Sequence, residues 1–142
     1  MSCYNSTLID APIEKVWEEI RNFHNLLWAK SVIETLDEVG DKKGLEVGAK
    51  RIINGVFYET LTELRSGDFY FKYSVDDGPG AVAKDAVRDY FAEVKLQRIT
   101  DTNQTFMLWT STYQSKDERA VAELFNPIYQ ALLSAAKDNI TK

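Results

Sequence analysis

Glu59 is the residue whose neighbours best equip it for chemistry. It follows Asn54-Gly55, a strong hairpin signal because both residues accept positive φ. A two-residue turn there pairs Ile53 with Val56, Ile52 with Phe57, Arg51 with Tyr58 and Lys50 with Glu59. Paired residues share a face. Phe57, Glu59, Leu61, Ile52 and Lys50 then lie together, with Val56, Tyr58, Thr60, Arg51 and Ile53 opposite. Both faces are half apolar, so the alternation leaves open which one points inward. Inward, Glu59 loses water and its pKa rises, while Lys50 pulls it back. Such a carboxyl serves as general acid or base, or orients a ligand hydroxyl. Outward, the same two residues form a solvated ion pair worth little.

Tyrosines supply the other chemistry. Tyr73, Tyr90 and Tyr113 carry polar tips on apolar bodies, and Tyr73 is the tyrosine that would work with Glu59. Alternation along residues 87–96 puts Tyr90, Ala92, Val94 and Leu96 on one face, the better interior, with Arg88 sharing their parity near the mouth. His24 follows a helix with no serine or cysteine nucleophile placed beside it, and reads as a loop or capping residue. Lys30, near Trp28, suits either a ligand carboxylate or plain solvation. With Cys3 and His24 the only cysteine and histidine, no metal site is expected, and Asp76-Asp77-Gly78 lacks calcium-loop spacing. Residues 77–80 lack the Gly-Lys-Ser/Thr ending of a phosphate loop. No cofactor is expected. The glycines around Pro79 suit either a lid or a long turn.

The elements that must position these residues follow from periodicity. Residues 3–10 read as a short strand. Ile13, Val16, Trp17, Ile20 and Phe23 mark one face of a helix that starts at Pro12, and Leu26, Leu27 and Trp28 suit a second short turn. Strands follow at residues 31–39, 49–53, 56–64, 69–75, 87–99 and 105–114, joined by short turns that make the sheet antiparallel. Ser115-Lys116-Asp117-Glu118 reads as a capping box. It opens a long helix over residues 115–140 whose stripe is Val121, Leu124, Phe125, Ile128, Leu132 and Ala136. Pro127 lies inside it and should bend it. Twisted strands curl around such a helix and do not pack flush along all of it. This favours a hollow, expected within the usual range of roughly 300–1,000 Å³. Trp28, Phe57, Phe71, Tyr73, Tyr90, Trp109, Phe125 and Tyr129 are the aromatics expected to line it, though each alone also suits ordinary core.

The run Ile9-Asp10-Ala11-Pro12-Ile13-Glu14-Lys15-Val16-Trp17, followed by Trp28, resembles the opening of the START-like, helix-grip superfamily. That group includes the polyketide cyclase/dehydrase-like, lipid-transport and birch-pollen-allergen-like proteins. Gly48-Ala49-Lys50-Arg51, Glu59-Thr60-Leu61, Phe71-Lys72-Tyr73, Met107-Leu108-Trp109 and the terminal helix with Phe125 and Tyr129 extend the resemblance over nearly the whole chain. It implies an α+β helix-grip fold. A curved antiparallel sheet of six to seven strands would wrap a long C-terminal helix, with one or two short helices after the first strand. It also implies an apolar cavity between sheet and helix, with Glu59 inward. Asn54-Gly55-Val56-Phe57 replaces the gating loop of the plant hormone receptors in that group, and the loop after Val75 lacks their latch histidine.

Composition bounds the rest. The 142 residues are 44% hydrophobic and 27% charged, an ordinary globular mixture expected to form one domain over residues 1–142. A net charge of −5 without a basic cluster argues against nucleic acid. No apolar run approaches the ~20 residues of a membrane span. A single cysteine and a start unlike a signal peptide point to the cytoplasm. The expected partner is therefore a hydrophobic small molecule, lipid-like, polyketide-like or aromatic, with Glu59 as polar anchor and Lys30 a further candidate contact. A cyclase or dehydratase using Glu59 and a cavity tyrosine, and a protein-interaction module, are the alternatives. Oligomeric state is not written in the sequence.

Overall fold

The computed structural model describes residues 2–141. Seven strands form one antiparallel sheet: β1 (Ser2–Ile9), β2 (Leu36–Val39), β3 (Lys50–Ile53), β4 (Phe57–Arg65), β5 (Tyr70–Asp77), β6 (Val87–Ile99) and β7 (Gln104–Ser115). Their spatial order is β1-β7-β6-β5-β4-β3-β2. From β2 onward each strand pairs with its successor, and β1 closes the far edge against β7. Two helices complete the α+β fold, α1 (Ile13–Ile20) and α2 (Glu118–Asn139). The expected architecture is observed: a curved sheet, a short helix after the first strand, and one long helix at the end.

Helix α1 begins at Pro12 and buries Ile13, Val16, Trp17 and Ile20, four positions of one helical face. Phe23 just beyond it is also buried. Residues Leu27–Ala29 make a single 3-10 turn that buries Trp28. Helix α2 buries Val121, Phe125, Tyr129, Leu132, Leu133, Ala135 and Ala136, while Leu124 and Ile128 are half-buried. It runs on through Pro127. Asn5 of β1 ties it to the sheet, donating to Asn126 Oδ1 at 2.9 Å and accepting from Gln130 at 3.3 Å.

Several local expectations needed correction. The capping box at Ser115 is not formed. Asp117 caps α2, accepting from the Ala120 amide, and Ser115 Oγ accepts from the Asp117 amide instead. The strand expected over residues 31–39 shrinks to β2. The Val32 and Ile33 amides both donate to the Ala29 carbonyl, and the Glu34 and Thr35 amides both donate to Asn54 Oδ1. That coiled path cannot be extended chain.

The hairpin register matters most. Asn54 and Gly55 do take positive φ, +53° and +71°, and the Val56 amide closes the turn on the Ile53 carbonyl. Yet Ile53 pairs with Phe57, so Val56 is one extra residue bulged outward. Every later pair moves by one: Ile52 with Tyr58, Arg51 with Glu59, Lys50 with Thr60. A one-residue slip exchanges the faces of a strand. Ala49, Arg51 and Ile53 are therefore buried beside Glu59 and Leu61, and Lys50 turns to the outer surface.

Further bulges bend β4 and β6. Register shifts between Tyr58 and Glu59 and between Leu61 and Glu63 interrupt the pairing of β4 with β5, which bends the strand. In β6 the interior parity of Tyr90, Ala92, Val94 and Leu96 is observed. Arg88 does not share it. A bulge at Asp89, φ +51°, leaves Arg88 and Asp89 both exposed.

The loop over residues 78–86 is tied down. Asp77 Oδ1 accepts from the Gly78 and Lys84 amides, and Val82 is fully buried. A Cβ on Gly78 would lie 2.8 Å from Val82 Cγ2 and 3.3 Å from Phe57, so only glycine permits this approach. No helix among the described residues is long and apolar enough to cross a membrane.

Candidate functional site

Between the sheet and α2 lies a void of about 110 Å³, bordered by Arg51, Ile53 and Asn54 of the β3 hairpin, Phe57 and Glu59 of β4, Tyr73 of β5, Trp109 of β7, and Phe125, Ile128, Tyr129 and Leu132 of α2. Leu26, Val32 and Ile33 complete its lining. The void is well below the roughly 300–1,000 Å³ of drug-sized sites. The reason is visible in the packing. Trp109, Tyr129 and Phe125 stack in series, with ring centroids 5.5 and 5.2 Å apart, and Phe57 packs 5.5 Å from Phe125. The aromatic rings fill most of the space that the curl of the sheet opens. A larger cleft of about 770 Å³ beside Arg88 and Lys116 is open to solvent and holds no buried polar group.

Of the residues expected to wall a cavity, Phe57, Glu59, Tyr73, Trp109, Phe125 and Tyr129 border the void. Trp28 and Phe71 are buried elsewhere in the core, Phe71 against Trp17 and Tyr73. Tyr90 sits one layer behind, against Phe125 and Tyr129. Lys30 is exposed and lines a surface groove with His24, Glu34 and Glu38. It does not reach the interior.

The polar centre of the void is an ion pair. Arg51 Nε and Nη2 each lie 2.8 Å from Glu59 Oε1, and the two side chains are only 4% and 5% exposed. Arg51 Nη1 donates to the Phe23 carbonyl at 2.9 Å, and the guanidinium lies 3.8 Å over the Phe23 ring. Burial pushes the Glu59 carboxyl above the usual carboxylate range, against the charge and hydrogen bonds of Arg51. The partner expected for Glu59 was Lys50. Its ammonium instead bonds Thr60 on the outer face, because the bulge at Val56 moved the register. His24 supports Arg51's strand from outside: its ring lies 2.8 Å from the Lys50 carbonyl and 3.3 Å from Glu38.

Beside the ion pair runs a chain of hydroxyls. Trp109 Nε1 donates to Tyr73 Oη at 3.1 Å, Tyr129 interacts with both Tyr73 and Tyr90, and Tyr90 donates to Ser111 Oγ at 3.0 Å. Because the Tyr90 proton goes to Ser111, Tyr129 is the donor of its contact with Tyr90. Burial raises all three phenols far above the ordinary tyrosine value, and for Tyr73 the Glu59 charge adds to the effect. These phenols stay neutral at physiological pH. They can orient a guest but give up protons reluctantly.

Arg51, Ile53, Asn54, Leu26, Val32, Ile33, Ile128 and Leu132 border the void without having been expected there. One signal could have found Arg51. Ala49 and Ile53 are the apolar parity of one strand, Phe57 and Leu61 that of the next. Both face inward only if the turn holds an odd number of residues. Among the described residues, no cluster of three or more His, Cys, Asp or Glu side chains is placed to hold a metal.

Comparison with known proteins places this architecture in a lineage. A protein of Nitrosospira multiformis has a structure matching all of this chain and 97% of its own, at 35% identity and a TM-score of 0.96. XoxI of Bacillus cereus matches over 98% of this chain and 94% of its own, at 23% identity and a TM-score of 0.78. A protein of Thermobifida fusca matches over 96% and 90%, at 19% identity and a TM-score of 0.79. These last two share the fold alone. No functionally curated protein matches the chain. The model of the polyketide cyclase/dehydrase and lipid-transport proteins matches residues 2–141, and with a relative of 35% identity over the full length the chain belongs to that family.

Proposed function

We propose that this protein binds a compact hydrophobic small molecule in the void between the sheet and α2. The observation that carries this reading is a space of about 110 Å³ walled by aromatic rings, with a single buried ion pair at its edge. The family binds ligands within this fold, which supports it. The volume favours a ring-sized guest. An engineered apolar cavity of about 150 Å³ takes up benzene, so an extended acyl chain would require α2 or the segment over residues 30–35 to move outward. Apolar surface buried by the guest contributes roughly 25 cal/mol per Å² before association costs.

The test is titration with single-ring and fused-ring apolar probes while following Trp109 fluorescence and its indole N–H resonance. Saturable shifts that Phe125→Ala changes support the reading. If no probe of any size perturbs Trp109, the reading fails.

A second reading has one observation in its favour. Glu59 and Tyr73, the pair that a ring-closing or dehydrating reaction would use, both border the void. Turnover of a bound guest that Glu59→Gln abolishes while binding persists would establish it. The high phenol pKa values and the engagement of Glu59 by Arg51 favour binding over acid–base work.

A further inference from the structure

Among the described residues, the walls of the void carry two charged side chains, Arg51 and Glu59, and the two cancel. We infer that this pair makes the site selective for a neutral one-ring compound bearing a hydrogen-bond donor, such as a phenol or cyclic alcohol, over a hydrocarbon or an anion of the same size. The inference rests on the binding function proposed above and specifies its ligand.

Donor and acceptor accounting carries it. An ionised carboxylate offers about four acceptor sites. Arg51 occupies two of them, both on Oε1. The remaining acceptor capacity belongs to a group that borders the void, where a guest can meet it. The hydroxyls alongside do not compete. Tyr90 spends its proton on Ser111 and Tyr129 spends its own on Tyr90. Tyr73 accepts from Trp109 and lies against the Tyr129 hydroxyl. The interior therefore supplies one prominent unfilled acceptor.

Charge sets the second half of the selectivity. The guanidinium reaches Glu59 through two of its nitrogens and the Phe23 carbonyl through the third, and is stacked on the Phe23 ring. A carboxylate entering the void would lose its water beside Glu59 with no spare cation to receive it, a heavy desolvation cost. An ammonium would meet Glu59 but add a second positive charge near Arg51. A neutral donor avoids both penalties. A hydrocarbon avoids them too but leaves the acceptor unmet, which costs affinity.

The experiment compares phenol, toluene and benzoate by isothermal titration and by the Trp109 indole N–H shift. The expected result is phenol at least tenfold tighter than toluene, with benzoate silent at the same concentrations. The double substitution Arg51→Met/Glu59→Leu should erase the preference for phenol while toluene still binds. Glu59→Gln should admit benzoate, because Arg51 is then uncompensated and the amide can donate. Toluene equal to or tighter than phenol overturns the selectivity while leaving the binding function intact, as does benzoate binding to the unaltered protein. Benzoate excluded by Glu59→Gln as strongly as before overturns the charge argument. Silence from all three compounds defeats the one-ring ligand, and with larger apolar probes also silent it defeats the binding function itself.

Discussion

Two polar groups lie side by side within the same core and solve burial in opposite ways. Arg51 and Glu59 are charged, held by a shared oxygen, and stand at the edge of the void. The Tyr73, Tyr129, Tyr90 and Ser111 hydroxyls are neutral and satisfy one another in series. The ionic pair leaves acceptor capacity unused, whereas the hydroxyls are linked to one another. An interior that needed only stability would not require the first arrangement, since a buried ion pair is often no better than well-packed apolar residues of equal volume. Under the binding function proposed above, the hydroxyl series holds α2 against β5, β6 and β7, and the ion pair faces whatever enters the void.

The comparison breaks most sharply at Arg51. Arg51→Met alone leaves Glu59 buried without its partner and should cost about 3–5 kcal/mol, whereas Arg51→Met/Glu59→Leu should return to within about 1–2 kcal/mol of the unaltered protein or exceed it. Urea denaturation of both variants checks this. If the double variant is as unstable as the single one, the pair is structural after all.

Cutting the hydroxyl series should cost less. Tyr129→Phe removes the central hydroxyl and leaves its neighbours short of a partner, for about 1–3 kcal/mol, and should leave affinity for apolar probes nearly unchanged. Thermal denaturation together with probe titration separates the two effects. A large loss of binding would move the hydroxyls into the functional half of the comparison.

A smaller effect is expected at the mouth. Asn54→Gly keeps the positive φ that the turn requires but removes the acceptor for the Glu34 and Thr35 amides. A loss of about 0.5–1.5 kcal/mol follows. Faster amide exchange should be confined to residues 30–36, with quicker exchange of a bound probe.

The smallest signal is a slope with pH. Glu59 has a folded pKa above its unfolded value. Between those two values the native state binds more protons than the unfolded chain, so this group's contribution to stability falls as pH rises through the window, and is level on either side. The difference in stability between the unaltered protein and Arg51→Met/Glu59→Leu should therefore decline as pH rises from about 4.3, the unfolded carboxylate value. A difference that grows with pH would mean that Arg51 outweighs burial at Glu59.

Much of the fold could be read directly from residue patterns, because period and turn chemistry are local. The apolar positions at Ile13, Val16, Trp17 and Ile20 mark α1, and Val87–Ile99 was legible as β6 to the residue. The Asn54-Gly55 turn was legible in kind, but its single bulged residue was not. That one residue exchanged Lys50 for Arg51 as the partner of Glu59. The same limit appears at Arg88, whose parity was undone by the bulge at Asp89, and at Lys30, which leaves the turn toward solvent although Trp28 two residues earlier is buried.

What the chain alone determined, then, is the order of its elements, their amphipathic faces and the family they resemble, since each depends on side chains a few positions apart. Tertiary structure alone decided that Arg51 meets Glu59, that the rings of Trp109, Tyr129 and Phe125 fill most of the curl, and that about 110 Å³ is left over. Those outcomes depend on strand register and on how volumes from distant segments add up. Neither quantity is carried by any short stretch of residues.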